Sequence, residues 1–269
     1  MQQASLVTGA SQGVGRGIVE GLSEAGQTVF FTGRDNARLT QVEREANALG
    51  GKCFARQVDH NDDTAVHALV AEITKNNSIG LLVNNVWGGY ERMVENGRFT
   101  FIDSFWEQPL WRWDAMMNTG VRAAYVASQL VVQNMLEHGQ GVIINISFWA
   151  AQKFTGNTLY GIAKAATDKM TADMAIELKG KGIQVISLYP GLVRTEKVMA
   201  NAAYMDLSNS ESPRFIGRVI SALQTNMKLR EELNGAVAVA ADIARRLGVV
   251  DIDGSLPEPL TLDAIQAKS

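Results

Sequence analysis

A tyrosine and a lysine four residues apart, Tyr160 and Lys164, are the pair of side chains best placed for proton chemistry. The surrounding segment has a helical pattern, and residues i and i+4 of a helix lie on one face about one turn apart. A phenol holds its proton up to a pKa of about 10, and a nearby cation lowers that pKa by favouring the phenolate. The pair could therefore exchange protons near neutral pH, although an isolated match is more often two solvated side chains on a helix surface.

The chain around this pair alternates short apolar runs with longer amphipathic segments, which is typical of a doubly wound α/β fold. Leu81-Leu82-Val83 and Val142-Ile143-Ile144 are apolar throughout, as expected for strands that are buried on both faces. We predict one domain over residues 1–269, with a parallel sheet of seven strands and helices on both of its faces. The predicted strands are residues 4–8, 28–32, 52–58, 79–84, 141–147, 183–188 and 236–240. The predicted helices are residues 14–25, 36–49, 62–76, 111–137, 157–179 and 214–226.

Two segments interrupt this alternation, and both begin at the carboxyl end of a predicted strand, where ligands bind in open parallel sheets. Residues 86–113 form an insert rich in aromatic residues, and residues 190–213 form a loop after the sixth strand. Loops of this length are usually functional or disordered, so we expect both to shape an apolar substrate pocket. Each tryptophan could equally pack in the core or between subunits, and Trp113 is expected in the core. The candidate pocket residues are Trp106, Trp149, Phe154, Met199, Tyr204 and Met205.

Residues 8–15, Thr-Gly-Ala-Ser-Gln-Gly-Val-Gly, connect the first predicted strand to the first predicted helix. Glycines allow a tight turn and a close approach of the backbone to a pyrophosphate, and the helix N-terminus offers free N–H groups. The position between strand and helix favours this interpretation over a glycine-rich turn without a ligand. After the second strand, Arg34 stands near the place where an acid would favour NAD, which favours NADP(H). Asp35 is more plausibly the cap of the next helix.

Composition excludes several other classes of function. The net charge is −3 without a basic patch for nucleic acid, and His60, His67 and His138 lack the spacing of metal ligands. No apolar run approaches the length of a membrane span, and the N-terminus has no signal-peptide pattern. Cys53, the single cysteine, is expected to be a buried and inert thiol. We therefore predict a cytoplasmic protein with no metal site, whose partners include neither nucleic acid nor a membrane.

Several motifs have the order and spacing of one family. They are residues 8–15, Asp59, Asn84-Asn85, Asn118, Ser147, Tyr160-x-x-x-Lys164 and Pro190-Gly191. From about residue 4 to residue 245, the chain resembles the short-chain dehydrogenases/reductases. Finer details resemble one subgroup of that family, namely the aromatic insert with Phe105-Trp106-Glu107 and the late run Ala244-Arg245-Arg246-Leu247-Gly248.

This resemblance implies a Rossmann-type fold and an NAD(P)(H)-dependent oxidoreductase that interconverts a carbonyl and an alcohol of a hydrophobic small molecule. Tyr160 is implied as the catalytic acid/base, and Lys164 as the group that binds the nicotinamide ribose and lowers the pKa of the tyrosine. Ser147 is implied to hydrogen-bond the substrate oxygen, and Asn118 to hold a water of the proton relay. A homodimer or homotetramer is also implied. The implied cofactor contacts are Gly9, Ser11, Gln12, Gly13, Val14, Gly15, Arg34, Asp59, Asn85, Tyr160, Lys164, Pro190, Gly191, Val193 and Thr195.

Three positions depart from the family's pattern. Gln12 stands where NADP-preferring members often have a basic residue, so the preference for NADP(H) depends on Arg34. Phe148 stands where a second serine is common, so Ser147 has no substitute. Trp87 stands where glycine is usual, and it could reshape the wall beside the cofactor or, as we favour, pack under the insert.

A regulatory or scaffold protein that binds a dinucleotide without turnover is the alternative from a different class. Loss of Ser147, Tyr160 or Lys164 would favour that alternative, and all three are present. Enoyl reduction usually accompanies a wider spacing between tyrosine and lysine, and relatives that dehalogenate have arginine in place of the lysine. The intact set of residues therefore favours carbonyl and alcohol chemistry.

Overall fold

The computed structural model describes residues 2–90 and 92–263, and of Tyr204 it describes the backbone alone. Seven strands form one parallel sheet in the order β11-β8-β7-β4-β1-β2-β3, and two further pairs are two residues long in each strand. The strands are β1 (Gln2–Val7), β2 (Thr28–Gly33), β3 (Lys52–Gln57), β4 (Asn77–Asn84), β5 (Val94–Glu95), β6 (Arg98–Phe99), β7 (Gly141–Ile146), β8 (Ile183–Tyr189), β9 (Leu192–Val193), β10 (Ser210–Glu211) and β11 (Val237–Val239).

Helices cover both faces of the sheet, so the doubly wound α/β fold predicted from the alternation is confirmed. A π-helical turn (Met117–Arg122) joins α4 to α5, and short 3-10 turns lie at Trp149–Ala151 and Ala202–Tyr204. The α-helices are α1 (Gly13–Glu24), α2 (Asn36–Asn47), α3 (Asp63–Thr74), α4 (Leu110–Met116), α5 (Ala123–His138), α6 (Thr158–Glu177), α7 (Glu196–Met199), α8 (Pro213–Thr225), α9 (Met227–Glu232) and α10 (Ala240–Leu247).

The central strands contain long apolar runs because each packs against helices on both faces. Successive residues of a strand point to opposite faces, and Leu81 and Val83 accordingly belong to the core beside α1, α2 and α8. Leu82 and Ile79 belong to the core beside α3, α5 and α6. Parallel strands carry every carboxyl end to one edge of the sheet, where the motif residues of the sequence meet.

Local sequence signals correctly predicted the caps at the starts of α2 and α8. Asp35 caps α2 by accepting a hydrogen bond from the N–H of Arg38, and Ser212 caps α8 just before Pro213, as predicted. Side chains of this type satisfy backbone N–H groups that a helix leaves unpaired at its start. The predicted buried state of Cys53 is also confirmed.

Several elements differ from the prediction. The single helix expected at 111–137 is α4, the π turn and α5 in one run, and the strand expected at 236–240 ends where α10 begins at Ala240. The pairs β5–β6 and β9–β10 were missed because two-residue strands have no detectable periodicity. Trp113 is exposed, so its expected place in the core is wrong. Within residues 2–90 and 92–263, no helix is both long and apolar enough to cross a membrane.

Candidate active site

Tyr160 and Lys164 lie on one face of α6, at the carboxyl edge of the sheet, and each is only 6% exposed. The helix begins here because Asn157 caps it, with its side-chain oxygen 2.8 Å from the backbone nitrogen of Tyr160. The amide group of Asn157 also donates to the carbonyl of Phe101 in the insert, at 2.5 Å. The cap therefore joins α6 to the insert. An Asn just before a helix is a start signal from which the sequence could have predicted this cap.

The ammonium of Lys164 is held inside the site. Its Nζ donates to the carbonyl of Ile146 at 3.1 Å, and it lies 4.2 Å from the centroid of the Trp87 ring and 5.8 Å from that of Tyr160. Burial lowers the pKa of Lys164 to about 8, partly opposed by the charge of Asp168. The side chain is therefore still mostly charged at neutral pH. Trp87 contacts both Lys164 and the ring of Tyr160, so the interpretation that it only packs under the insert is wrong.

Aromatic rings enclose the phenol of Tyr160. Their centroids lie 5.6 to 6.3 Å from its own, and its hydroxyl accepts a hydrogen bond from Tyr90 at 3.0 Å. Burial among these rings raises the pKa of Tyr160 well above its usual 10. That direction is opposite to the lowering expected from Lys164, because desolvation of the phenolate outweighs the attraction of an ammonium beyond hydrogen-bond distance. The rings are those of Trp87, Tyr90, Phe101 and Phe148.

Ser147 and Asn118 reach the same region from two other elements. Ser147 follows β7, is buried, and donates a long hydrogen bond of 3.4 Å to the carbonyl of Lys164. Asn118 lies in the π turn, and its carbonyl accepts the N–H of Ala123, five residues further on. In the same turn, Gly120 packs so closely on Trp87 that an added Cβ would lie 2.7 Å from the indole ring. Turns of this type interrupt helices most often at functional sites.

The glycine turn before α1 has a geometry that only glycine allows. Gly9 and Gly13 have φ values of 66° and 61°, in the left-handed region. A Cβ on Gly15 would lie 2.5 Å from the carbonyl oxygen of Gly9. Asn85 holds the turn from behind, since its amide donates to the carbonyls of Thr8 at 3.2 Å and Gly9 at 2.8 Å. The turn is therefore an open cradle at a helix N-terminus, which fits the pyrophosphate of a dinucleotide.

Glu196, at the start of α7, lies against this cradle. Its carboxylate accepts the N–H of Gly13 at 2.9 Å and lies 3.6 Å from the guanidinium of Arg16. Arg16 is also paired with Glu20 and Glu45, each at 2.9 Å. A carboxylate is the group that a helix N-terminus attracts most readily within the same chain. Nothing near Glu196 in the sequence indicated this contact.

A cavity of about 210 Å³ lies beside the turn. Ser11, Gln12 and Val42 line it, together with Arg38, which donates to Gln12 and pairs with Asp35 at 3.2 Å. The sequence interpretation had missed Arg38, which lies in the first turn of α2 and faces this cavity.

The remaining cofactor candidates lie along the same edge. Asp59 accepts hydrogen bonds from Asn61 at 3.0 Å, and Arg34 follows β2 with its carbonyl bonded to Gln57. Asn84 donates to Ser128 and Asn145, which joins β4 to α5 and β7. Val14 lies in the first turn of α1, beside the cradle.

The loop after β8 is fixed by a buried carboxylate. The N–H of Gly191, next to Pro190, donates to Glu211 at 2.8 Å, and burial raises the pKa of Glu211 to about 7. Val193 pairs with the same residue in the strand pair β9–β10, and Thr195 caps α7. Arg194 forms an ion pair with buried Asp251 at 3.1 Å, so it braces this loop.

Most of the residues predicted to line the substrate pocket are exposed. Trp106 is 74% exposed, and Phe154, Met199 and Met205 are also exposed, whereas the side chain of Tyr204 lies outside the described residues. Trp149 packs on Tyr189 with centroids 5.2 Å apart.

Buried Arg112 holds the insert together, a role that its sequence context did not indicate. It donates to the carbonyl and hydroxyl of Thr100 at 2.9 Å and lies against the rings of Trp111 and Phe101. No carboxylate pairs with Arg112 among the contacts of the described residues, so carbonyls, a hydroxyl and ring faces solvate its charge.

Comparison with known proteins agrees with this geometry. A family model described as short chain dehydrogenase matches residues 3–205. Dehydrogenase/reductase SDR family member 1 of Mus musculus is 36% identical over 267 residues, which cover 94% of the chain and 84% of that protein. L-sorbose reductase of Gluconobacter frateurii, solved with NADPH and L-sorbose, superposes with a TM-score of 0.76 at 21% identity, covering 88% and 94% of the two chains. A 7α-hydroxysteroid dehydrogenase solved with NADH and 7-oxo glycochenodeoxycholic acid has a TM-score of 0.75 at 25% identity, covering 88% and 92%.

Proposed function

Because this chain belongs to the short-chain dehydrogenase family and is an oxidoreductase of that class, we propose that it interconverts a carbonyl and an alcohol on a hydrophobic small molecule, with NADP(H) favoured over NAD(H). One observation carries this proposal. The buried phenol of Tyr160 and the ammonium of Lys164 lie together at the carboxyl edge of a sheet whose first turn is an open glycine cradle.

The residues of the glycine turn and those of α6 have different roles in the proposed reaction. The turn at Gly9 and Gly13 brings the backbone to the N-terminus of α1, and that N-terminus attracts the charge of a pyrophosphate. A nicotinamide dinucleotide bound there would supply the hydride. Tyr160 gives its proton to the oxygen of the reduced carbonyl, and Lys164 stabilises the negative charge left on the phenol.

Ser147 and Asn118 complete the proposed site. The hydroxyl of Ser147 turns from the Lys164 carbonyl, to which its bond is long, toward the substrate oxygen. Asn118 belongs to the π turn whose Gly120 packs on Trp87, and there it would hold a water that returns a proton to the site. Both roles are part of the proposal.

The preference for NADP(H) is proposed from charge at the end of β2. Arg38 with Gln12 lines the cavity beside the turn, and Arg34 directly follows β2, so each supplies a guanidinium group that could bind a 2′-phosphate. Replacing both by alanine should raise the KM for NADPH about tenfold or more while leaving the KM for NADH within about twofold. Equal changes for the two cofactors would contradict the preference.

The reaction is tested by following NADPH oxidation with a panel of hydrophobic ketones and aldehydes, with NADH in parallel. Tyr160→Phe removes only the phenolic hydroxyl and should lower kcat about a hundredfold or more. A variant as fast as wild type would contradict the mechanism and favour the dinucleotide-binding alternative.

The assembly is proposed to be a homodimer or homotetramer formed through α5 and α6. Tyr125 and Leu136 on α5 and Ile162 and Ile176 on α6 expose apolar surface there. A monomeric mass by light scattering at micromolar concentration would rule this out. The single domain over residues 1–269 and the cytoplasmic location stay predictions.

A further inference from the structure

The hydroxyl of Tyr160 is hydrogen-bonded to a second phenol, that of Tyr90. The separation of the two oxygens is 3.0 Å, and Tyr90 is the donor. Tyr90 belongs to the aromatic insert, seventy residues before Tyr160 in the chain. Its own residue surface is 40% exposed, whereas Tyr160 is 6% exposed. The insert therefore reaches the reacting atom itself, in addition to forming a wall of the site.

We propose that Tyr90 is a further catalytic residue, whose hydroxyl donates a hydrogen bond to the oxygen of Tyr160 and stabilises the phenolate formed when Tyr160 gives up its proton. This proposal rests on the proposed reduction chemistry. In that step the O–H bond of Tyr160 breaks and an O–H bond forms on the substrate alkoxide. The negative charge moves to the oxygen of Tyr160, Tyr90 keeps its proton, and a proton from solvent later restores Tyr160.

The phenolate needs this donor because its surroundings are apolar. The rings around Tyr160 cannot solvate an anion by donating hydrogen bonds. Lys164 stabilises the anion through its charge, and its ammonium donates to the carbonyl of Ile146 and, among the contacts of the described residues, not to the phenol. The hydroxyl of Ser147 is directed at the carbonyl of Lys164. A hydrogen bond to a charged oxygen in a water-poor site is about twice as strong as one between neutral groups.

Only one of two hydrogen-bonded phenols ionises readily, because the second must then remain a donor. The ammonium of Lys164 lies 5.8 Å from the ring centroid of Tyr160, and its charge favours an anion on that phenol. Tyr90 is held for this purpose by ring contacts with Trp87 and Phe101, at 5.9 and 6.2 Å between centroids. Lys197 also donates to the carbonyl of Tyr90 at 3.3 Å, so backbone and ring are both fixed.

The decisive variant is Tyr90→Phe, which removes the hydroxyl and keeps the ring that packs on Trp87 and Phe101. We expect kcat for carbonyl reduction to fall about ten- to a hundredfold, with the KM for substrate and the dissociation constant for NADPH changed less than about threefold. Thr225→Val, which removes an exposed hydroxyl at the end of α8, is the control and should match wild type.

A double-mutant cycle separates a catalytic role from a structural one. If Tyr90 acts through the oxygen of Tyr160, then Tyr90→Phe should have no further effect on kcat in the Tyr160→Phe background. The rising limb of the pH profile for alcohol oxidation should also move to higher pH, by about one unit, in Tyr90→Phe.

Three results would overturn the inference. They are a Tyr90→Phe variant with the kcat and pH profile of wild type, effects that add in the double variant, and a loss explained by weaker NADPH binding. In each case a large effect of Tyr160→Phe would leave the proposed reaction standing. A wild-type rate in Tyr160→Phe would instead contradict both the proposed reaction and this inference.

Discussion

The nucleotide end and the substrate end of this site are built from different materials. At the nucleotide end the working groups are backbone N–H groups, glycines and a few charged side chains within residues 9–38. At the substrate end they are aromatic rings brought together from residues 87–160. A pyrophosphate is recognised the same way in every dinucleotide, whereas a hydrophobic substrate is recognised by the shape of its particular pocket.

The two ends also tolerate change differently. At Gly15 an added side chain would meet backbone atoms of the turn, which cannot move aside unless the turn opens. A ring cluster has several overlapping contacts, so the loss of one ring removes part of the interaction and leaves the rest.

The largest effect is expected at the nucleotide end, from Gly15→Ala. The added Cβ would approach the Gly9 carbonyl oxygen to 2.5 Å and the Ala10 Cα to 2.8 Å, and the backbone turn cannot yield without opening. A clash of this kind costs about 4 kcal/mol of folding stability unless the turn opens, and opening the turn should weaken NADPH binding about a hundredfold or more by calorimetry. Gly26→Ala, where an added Cβ has open space, is the control and should bind normally. Unchanged NADPH binding in Gly15→Ala would show that the glycine turn is not part of the nucleotide site.

The nucleotide end should lose stability in acid because of His60. Its Nε2 lies 2.8 Å from the hydroxyl of Thr32, and burial lowers its pKa to about 4 from the usual 6.5. Between pH 6.5 and 4 the imidazole of His60 is protonated in the unfolded chain but not in the folded chain. The free energy of unfolding therefore falls by about 3 kcal/mol as the pH drops through this range. His60→Gln should flatten urea-derived stability over this range, and exposed His67→Gln should not.

The buried carboxyl of Glu211 should make the free energy of unfolding depend on pH in the opposite direction. Burial raises the pKa of Glu211 to about 7 from 4.5, so the folded chain retains a proton that the unfolded chain releases. The free energy of unfolding should therefore fall by about 3 kcal/mol as the pH rises from 4.5 to 7. Glu211→Gln removes this dependence, whereas the exposed Glu137→Gln keeps it. If both variants follow the wild-type curve, the carboxyl of Glu211 is not the group responsible.

At the substrate end, Trp87→Ala should lower kcat about tenfold. The ring face lies 4.2 Å from the ammonium of Lys164, and a desolvated contact of this type contributes about 2 kcal/mol. Trp87→Phe should recover part of the rate because it keeps an aromatic face. Trp113→Phe, on the exposed side of α4, is the control. Equal rates for alanine and phenylalanine would show that the ring face does not position Lys164.

The smallest effect is expected where the two ends meet, at Glu196. Its carboxylate accepts the N–H of Gly13, in the position that a phosphate oxygen would use. Contacts with a helix N-terminus contribute about 0.3–1 kcal/mol, so Glu196→Gln should bind NADPH about threefold more tightly. Exposed Glu177→Gln, at the end of α6, serves as the control. Weaker binding in Glu196→Gln would mean that the carboxylate assists the cofactor instead of competing with it.

Sequence reasoning was strongest where backbone rules act over short distances. The strand and helix order, the glycine turn, the caps at Asp35 and Ser212 and the shared face of Tyr160 and Lys164 all follow from local periodicity and turn chemistry. It was weakest in the insert, where the two-residue strands have no period and buried Arg112 resembles a surface residue in the sequence.

By itself, the sequence determined the doubly wound fold, the glycine turn and the shared helical face of Tyr160 and Lys164, because these depend on residue types at fixed local spacings. Tertiary structure alone decided that Tyr90 donates to Tyr160, that Trp87 faces Lys164 and that Glu196 lies on the N-terminus of α1. Each of these contacts joins segments far apart in the chain. They arise from the packing of the insert and the loop after β8 on the finished sheet, and no local pattern records them.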